Sequence, residues 1–96
     1  MIVADFSMIP MGSGTSASQC IRAVHDVLKA SGVKFLPGPM STSVEVKSLQ
    51  ELFRVIDAAN GRLKDMGVAR IITNIRIDYR LDKEISISSK REAVGP

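Results

Sequence analysis

These 96 residues include no tryptophan, one tyrosine, three phenylalanines, one cysteine and one histidine. With aromatics at 4%, the chain lacks the stacking platforms on which sheet surfaces hold unpaired bases or sugars, which argues against nucleic-acid recognition. A single cysteine cannot close an internal disulfide, and Cys20 with His25 cannot furnish a zinc set. Cys20 falls in an apolar stripe and reads as an inert buried thiol. His25 falls off that stripe, has no serine or cysteine placed to form a triad with it, and reads as a surface histidine. No apolar run approaches the length of a bilayer span. Met1 to Met8 lacks the basic and long apolar regions of a signal peptide, so a cytoplasmic protein is expected, with no membrane partner.

What is present describes one small soluble domain over residues 1–96: 45% apolar residues, 24% charged and a net charge of +3 with both signs interspersed. Met1 to Ile9 alternates, with Ile2, Ala4, Phe6 and Met8 on one side and Val3, Asp5, Ser7 and Ile9 on the other. That period predicts a strand. Pro10 to Gly14 breaks it, and Ser16 with Gln19 gives a capping-box start for a helix whose stripe is Ala17, Cys20, Ile21, Val24 and Leu28, stopped by Gly32. Val33 to Leu36 begins a second strand, Pro37-Gly38-Pro39 a bend, and Ser41 to Lys47 a third strand with Thr42, Val44 and Val46 on one side and Ser43 and Glu45 on the other. Ser48 and Glu51 repeat the capping box ahead of a helix carrying Leu49, Leu52, Phe53, Ile56, Ala59, Leu63 and Met66, ended by Gly67. Gly61 inside that helix costs roughly 1 kcal/mol against Ala, which close packing on a sheet would explain. Ala69 to Leu81 is the longest strand candidate, with Ile72, Asn74, Arg76 and Asp78 sharing a face. The polar residues from Asp82 onward are compatible with a strand extension, a short helix or a loose tail, and 83–96 is treated as an extension.

The order strand, helix, strand, strand, helix, strand is a βαβ unit used twice. Right-handed crossovers interleave the two units into an α+β, ferredoxin-like sandwich, a four-stranded antiparallel sheet with both helices on one face. The first strand then lies between the third and fourth. The face without helices gathers Asp5, Ser7, Ser43, Glu45, Asn74, Arg76 and Asp78 beside Val3, Ile9 and Ile72, a mixture suited to sheet association with a small ligand at the seam. A solvated face with ion pairs such as Arg76 to Glu45 is the plain alternative. Gly12-Ser13-Gly14-Thr15-Ser16 before a helix resembles an anion cradle but lacks the P-loop ending, and a tight turn with an N-cap accounts for it.

Three motifs occur together and in order: Ser7-Met8-Ile9-Pro10-Met11-Gly12; Gly38-Pro39-Met40-Ser41-Thr42 followed by Val44-Glu45; and Arg70 to Thr73 with Ile75 to Asp78 and Arg80. Over Met1 to Asp82 the chain resembles the small thiamine-binding proteins related to YkoF. The resemblance implies a ferredoxin-like fold, subunits paired through sheets into dimers and commonly into a homotetramer, and non-catalytic binding of thiamine or its pyrimidine precursor without a cofactor. It implies ligand contacts at Ser7, at the Pro10-Met11-Gly12 bend, at Thr42, Ser43 and Glu45, and at Asn74 and Arg76. The family pattern also leads one to expect a clear short helix after Lys83, from which this tail departs. On that reading a carboxylate such as Glu45 accepts from an aminopyrimidine, Ile9, Met11 and Met40 give apolar contact, and Asp5 or Asp78 faces the thiazolium. The competing readings are a regulatory module sensing an amino acid or another metabolite, a small enzyme working through the open-face carboxylates, and an RNA-binding domain.

Overall fold

A computed structural model describes residues 1–12, 14 and 16–95. Four strands, β1 (Ile2–Met11), β2 (Lys34–Pro37), β3 (Thr42–Val46) and β4 (Arg70–Asp78), form one antiparallel sheet in the order β2-β3-β1-β4. Helices α1 (Ala17–Ser31) and α2 (Leu49–Asp65) cover one face, and a third helix, α3 (Ile87–Val94), follows β4. The architecture is the expected ferredoxin-like one.

The local signals act as the sequence suggests. Gln19 N–H donates to Ser16 Oγ (3.2 Å) and Glu51 N–H to Ser48 Oγ (3.1 Å), each satisfying one orphan donor of a helix start. The Glu51 carboxylate reaches back one residue further than a capping box requires, accepting from Lys47 N–H at 3.2 Å. Gly32 ends α1 in the left-handed region, at φ 75°, where its N–H bonds the Lys29 carbonyl. The main core lies between these helices and the sheet, where Leu28, Leu52, Leu63, Val44 and Val46 are fully enclosed against Ile2, Ala4 and Phe6.

β1 runs on through Pro10 and Met11 rather than bending at Pro10. By Pro10 the pairing with β3, which ends at Phe6 opposite Thr42, is over, and only β4 remains beside β1. The missing proline N–H therefore breaks no ladder on that side. Gly61 has open space where a Cβ would stand, so close packing does not explain it. The anion-cradle reading of Gly12 to Ser16 includes Ser13 and Thr15, which lie outside the described residues.

The second face of the sheet is not left bare. Ile85 and Ile87 pack on Val3 in a small apolar cluster separate from the main core, so the segment leading into α3 and the helix's first residue sit over β1 and β3 on the side away from α1 and α2. Ser86 caps α3 reciprocally: Ser89 N–H donates to Ser86 Oγ and Ser86 N–H to Ser89 Oγ, both at 2.9 Å. The tail thus supplies the short helix that the polar composition of residues 83–96 had obscured.

Candidate functional site

Pairing across the sheet arranges the open face in rows. Lys34, Glu45, Val3 and Asp78 form one; Leu36, Ser43, Asp5 and Arg76 the next; then Ser7 with Asn74, Ile9 with Ile72, and Met11 with Arg70. Neighbouring strands lie about 4.8 Å apart, so side chains within a row touch. Ser7, Ser43, Glu45, Asn74 and Arg76, all among the ligand contacts that the resemblance implies, share this face.

Asp5 is its electrostatic centre. Arg76 Nε and Nη2 donate to the two Asp5 oxygens at 3.0 and 2.5 Å, and Ser41 Oγ donates to Oδ2 at 3.0 Å. Arg76 thus pairs with the residue directly opposite it, not with Glu45. The Arg76 guanidinium, and secondarily the Ser41 hydroxyl, hold the Asp5 carboxyl below the usual carboxylate range against the opposing effect of burial. Only 18% of the Asp5 side chain is exposed, whereas the Arg76 side chain that grips it is 86% exposed, so the carboxylate is shielded and the guanidinium faces solvent.

The Asp5–Arg76 pair divides two clefts. One, of about 330 Å³, is lined by Val3, Ser43, Asp78 and Lys90 together with that pair. The other, of about 230 Å³, is lined by Ser7, Met40, Ser41 and Asn74 with the same pair. Lys90 enters from α3, where its Nζ donates to Asp78 Oδ2 at 2.5 Å. Glu45 receives the Ile87 N–H at 2.8 Å, so one of its oxygens anchors the start of α3. Met40 stands over the second cleft, 87% exposed at the tip of the β2–β3 hairpin. Its position depends on Gly38, whose N–H bonds the Ser41 carbonyl at 2.9 Å. A Cβ on Gly38 would sit 2.6 Å from that carbonyl oxygen, so the Gly-Pro-Met turn admits no side chain at its first position.

Besides Glu45, four of the expected ligand contacts lie outside the two clefts. Thr42 is 8% exposed and faces α1, on the opposite side of the sheet from Ser43. Its Oγ1 lies in hydrogen-bond contact with His25 Nε2 at 3.1 Å, and the His25 ring stacks on Phe35. His25 is therefore a half-buried bridge from α1 to β2 and β3, not a surface histidine. Burial first, and the neighbouring Lys29 ammonium second, push its pKa below the ordinary value, with Asp26 opposing. Pro10, Met11 and Gly12 lie at the far end of β1, beyond both clefts. Conversely, Lys90, Ser41 and Met40 join the site without having been singled out as polar ligand contacts. Strand parity had already put Asp5 on this face, whereas no periodicity marked Lys90.

A face of paired carboxylates and cations on a ferredoxin-like sheet, with no aromatic among the described residues of that face, offers polar contacts for a small molecule and no platform for stacking bases. A family model described as "Thiamine-binding protein" matches residues 4–95, and the chain belongs to that family. It is 39% identical to the UPF0045 protein YqgV of Bacillus subtilis, over 99% of this chain and 95% of the relative. A UPF0045 protein of Methanothermobacter thermautotrophicus is 33% identical, over 98% and 96%. Among solved structures, a hypothetical protein of Methanocaldococcus jannaschii superposes with a TM-score of 0.83 at 33% identity, covering 97% of this chain and 94% of the other. A Thermotoga maritima protein assigned provisionally to thiamine biosynthesis or salvage shares the fold at a TM-score of 0.79 and 19% identity, over 98% of each chain.

Proposed function

We propose that the open face binds thiamine or its aminopyrimidine precursor without catalysing a reaction on it, in an assembly of copies of this chain. The observation that carries the reading is the larger cleft, whose volume suits one small two-ring ligand and whose walls offer the carboxylates of Asp5 and Asp78 beside Val3. An aminopyrimidine presents an exocyclic amine next to a ring nitrogen; Glu45, opposite Val3 on β3 and beside the cleft rather than in its lining, accepts from it on this reading through the oxygen that Ile87 does not use. Asp78 and Asp5 face the cationic thiazolium, and Ser43 supplies a neutral hydrogen bond. Among the described residues neither a nucleophile–base pair nor a group of three metal-ligating side chains accompanies them, and binding rather than turnover is the chemistry proposed.

The rest of that face supports the self-association in this reading. Ile9, Met11, Leu36 and Ile72 are large, exposed and coplanar with the cleft, and a second copy covers them in the proposed assembly.

A thermal-shift screen of thiamine, its phosphates, its pyrimidine and thiazole precursors and amino acids tests the reading. A ligand at a hundred times its Kd stabilises by about 2.7 kcal/mol. Thiamine or its pyrimidine is expected to shift the melting point, and Glu45→Gln, which keeps an acceptor for Ile87 N–H but loses the charge, is expected to weaken binding about tenfold or more. A shift with amino acids alone would favour a sensing module instead.

A further inference from the structure

Resting on the proposed thiamine-type ligand, we propose that Lys90 is an internal competitor for the ligand's cation: it occupies Asp78 in the free protein and is displaced when the ligand binds, releasing α3 from the cleft.

The carboxylates around the cleft are not equally available. Asp5 has both oxygens engaged, by the two-pronged Arg76 fork and by Ser41, and is mostly shielded. Glu45 gives one oxygen to the backbone of α3. Asp78 is held by a single flexible ammonium, and the two side chains are 44% and 47% exposed. Such a pair is worth little, because solvent screens it and holding two long side chains in one geometry costs entropy. An organic cation entering this cleft therefore gains most at Asp78, and it gains by replacing Lys90 with its own charge.

The lysine is also placed to transmit that exchange. Beyond Lys90, the start of α3 is tied to the sheet by Ile85 and Ile87 on Val3 and by the Glu45 contact, and its first turn by a 3.4 Å Lys34–Ser88 contact. From Lys90 onward the helix residues are exposed. Losing the Asp78 pair frees the second half of the helix while its first turn stays anchored. The apparent affinity is the intrinsic one multiplied by the fraction of molecules in which Lys90 is away from Asp78, since ligand binds only then.

Calorimetric titration of thiamine into the wild-type chain, Lys90→Met and Lys90→Arg, each at low and high salt, decides the matter. Lys90→Met keeps the apolar stem and removes the competitor, so thiamine is expected to bind about two- to five-fold more tightly at low salt. In the wild type one cation replaces another at Asp78, so the affinity should be nearly indifferent to salt. In Lys90→Met an uncompensated carboxylate meets the ligand, and its advantage should fade as salt rises. Lys90→Arg should behave as wild type. Equal or weaker binding by Lys90→Met overturns the competitor role and leaves the ligand assignment standing, whereas absence of thiamine binding by all three proteins overturns the ligand assignment and this inference with it.

Discussion

Individual residues set the geometry of the site more sharply than their number suggests. Gly38 is required because the Ser41 carbonyl occupies the volume of any side chain there, and the same tight turn delivers Ser41 Oγ to Asp5 and Met40 to the second cleft. Gly38→Ala is therefore expected to destabilise the fold by about 1–3 kcal/mol in urea unfolding, as overpacking does, and to weaken ligand binding as well. Titration should show two signatures of opposite charge type with the same sign. The His25 pKa lies below 6.5 because burial disfavours the imidazolium, so the stability it contributes is complete above pH 6.5 and is lost as pH falls through the lowered value. The Asp5 pKa lies below 3.8, chiefly through Arg76, so its contribution holds above that pH and is lost on further acidification. Melting temperatures recorded from pH 8 to pH 3 should fall in two stages, and His25→Gln should abolish the first. Retention of that first stage in the variant would place its origin elsewhere.

At the scale of elements, strands and capped helices were legible because alternation and the Ser16, Ser48, Gly32 and Gly67 signals act locally, before any tertiary contact is needed. The parity of β3 already separates Thr42 from Ser43 and Glu45, so the division of that motif between two faces was readable even where the family motif ran across it. α3 was not legible. Among its described residues only Ile87 is buried, joined by Ile85 in the segment before it, and its cap pairs Ser86 with Ser89 in place of the usual glutamate or glutamine. The helix is fixed by the sheet beneath it, through Val3, Glu45 and Asp78, and those partners are distant in sequence. Lys90 was invisible for the same reason. Gly61 is the opposite case, a local cost with no tertiary compensation, since nothing approaches its missing Cβ. Gly61→Ala should stabilise the protein by about 1 kcal/mol, read as a raised urea midpoint with an unchanged slope. A lower midpoint would mean that the position is occupied in the assembly.

At the scale of the whole molecule, two helices cover one face of four strands and a third helix covers only part of the other, so a chain of 96 residues leaves apolar area for a second copy. β4 adds a long edge strand with no neighbour on its outer side. A two-fold antiparallel pairing that sets Asn74 against its own copy brings Arg70 opposite Asp78, whereas centring on Thr73 brings Arg70 against Arg76, so charge selects the first register. Light scattering at micromolar concentration should report a dimer or a dimer of dimers, and Arg70→Asp should lower the mass if the edge is used. A monomeric wild type would contradict the assembly.

On the proposed reading the ligand sits on the open face, beside the Asp5–Arg76 pair. Amide chemical-shift mapping during a thiamine titration locates it. Shifts are expected at Ser7, Ser43, Glu45, Asn74 and Arg76, joined by Ile87 and Lys90, with His25 and Thr42 unmoved. Shifts confined to the His25–Thr42 side of the sheet, or none at saturating thiamine, would contradict that reading.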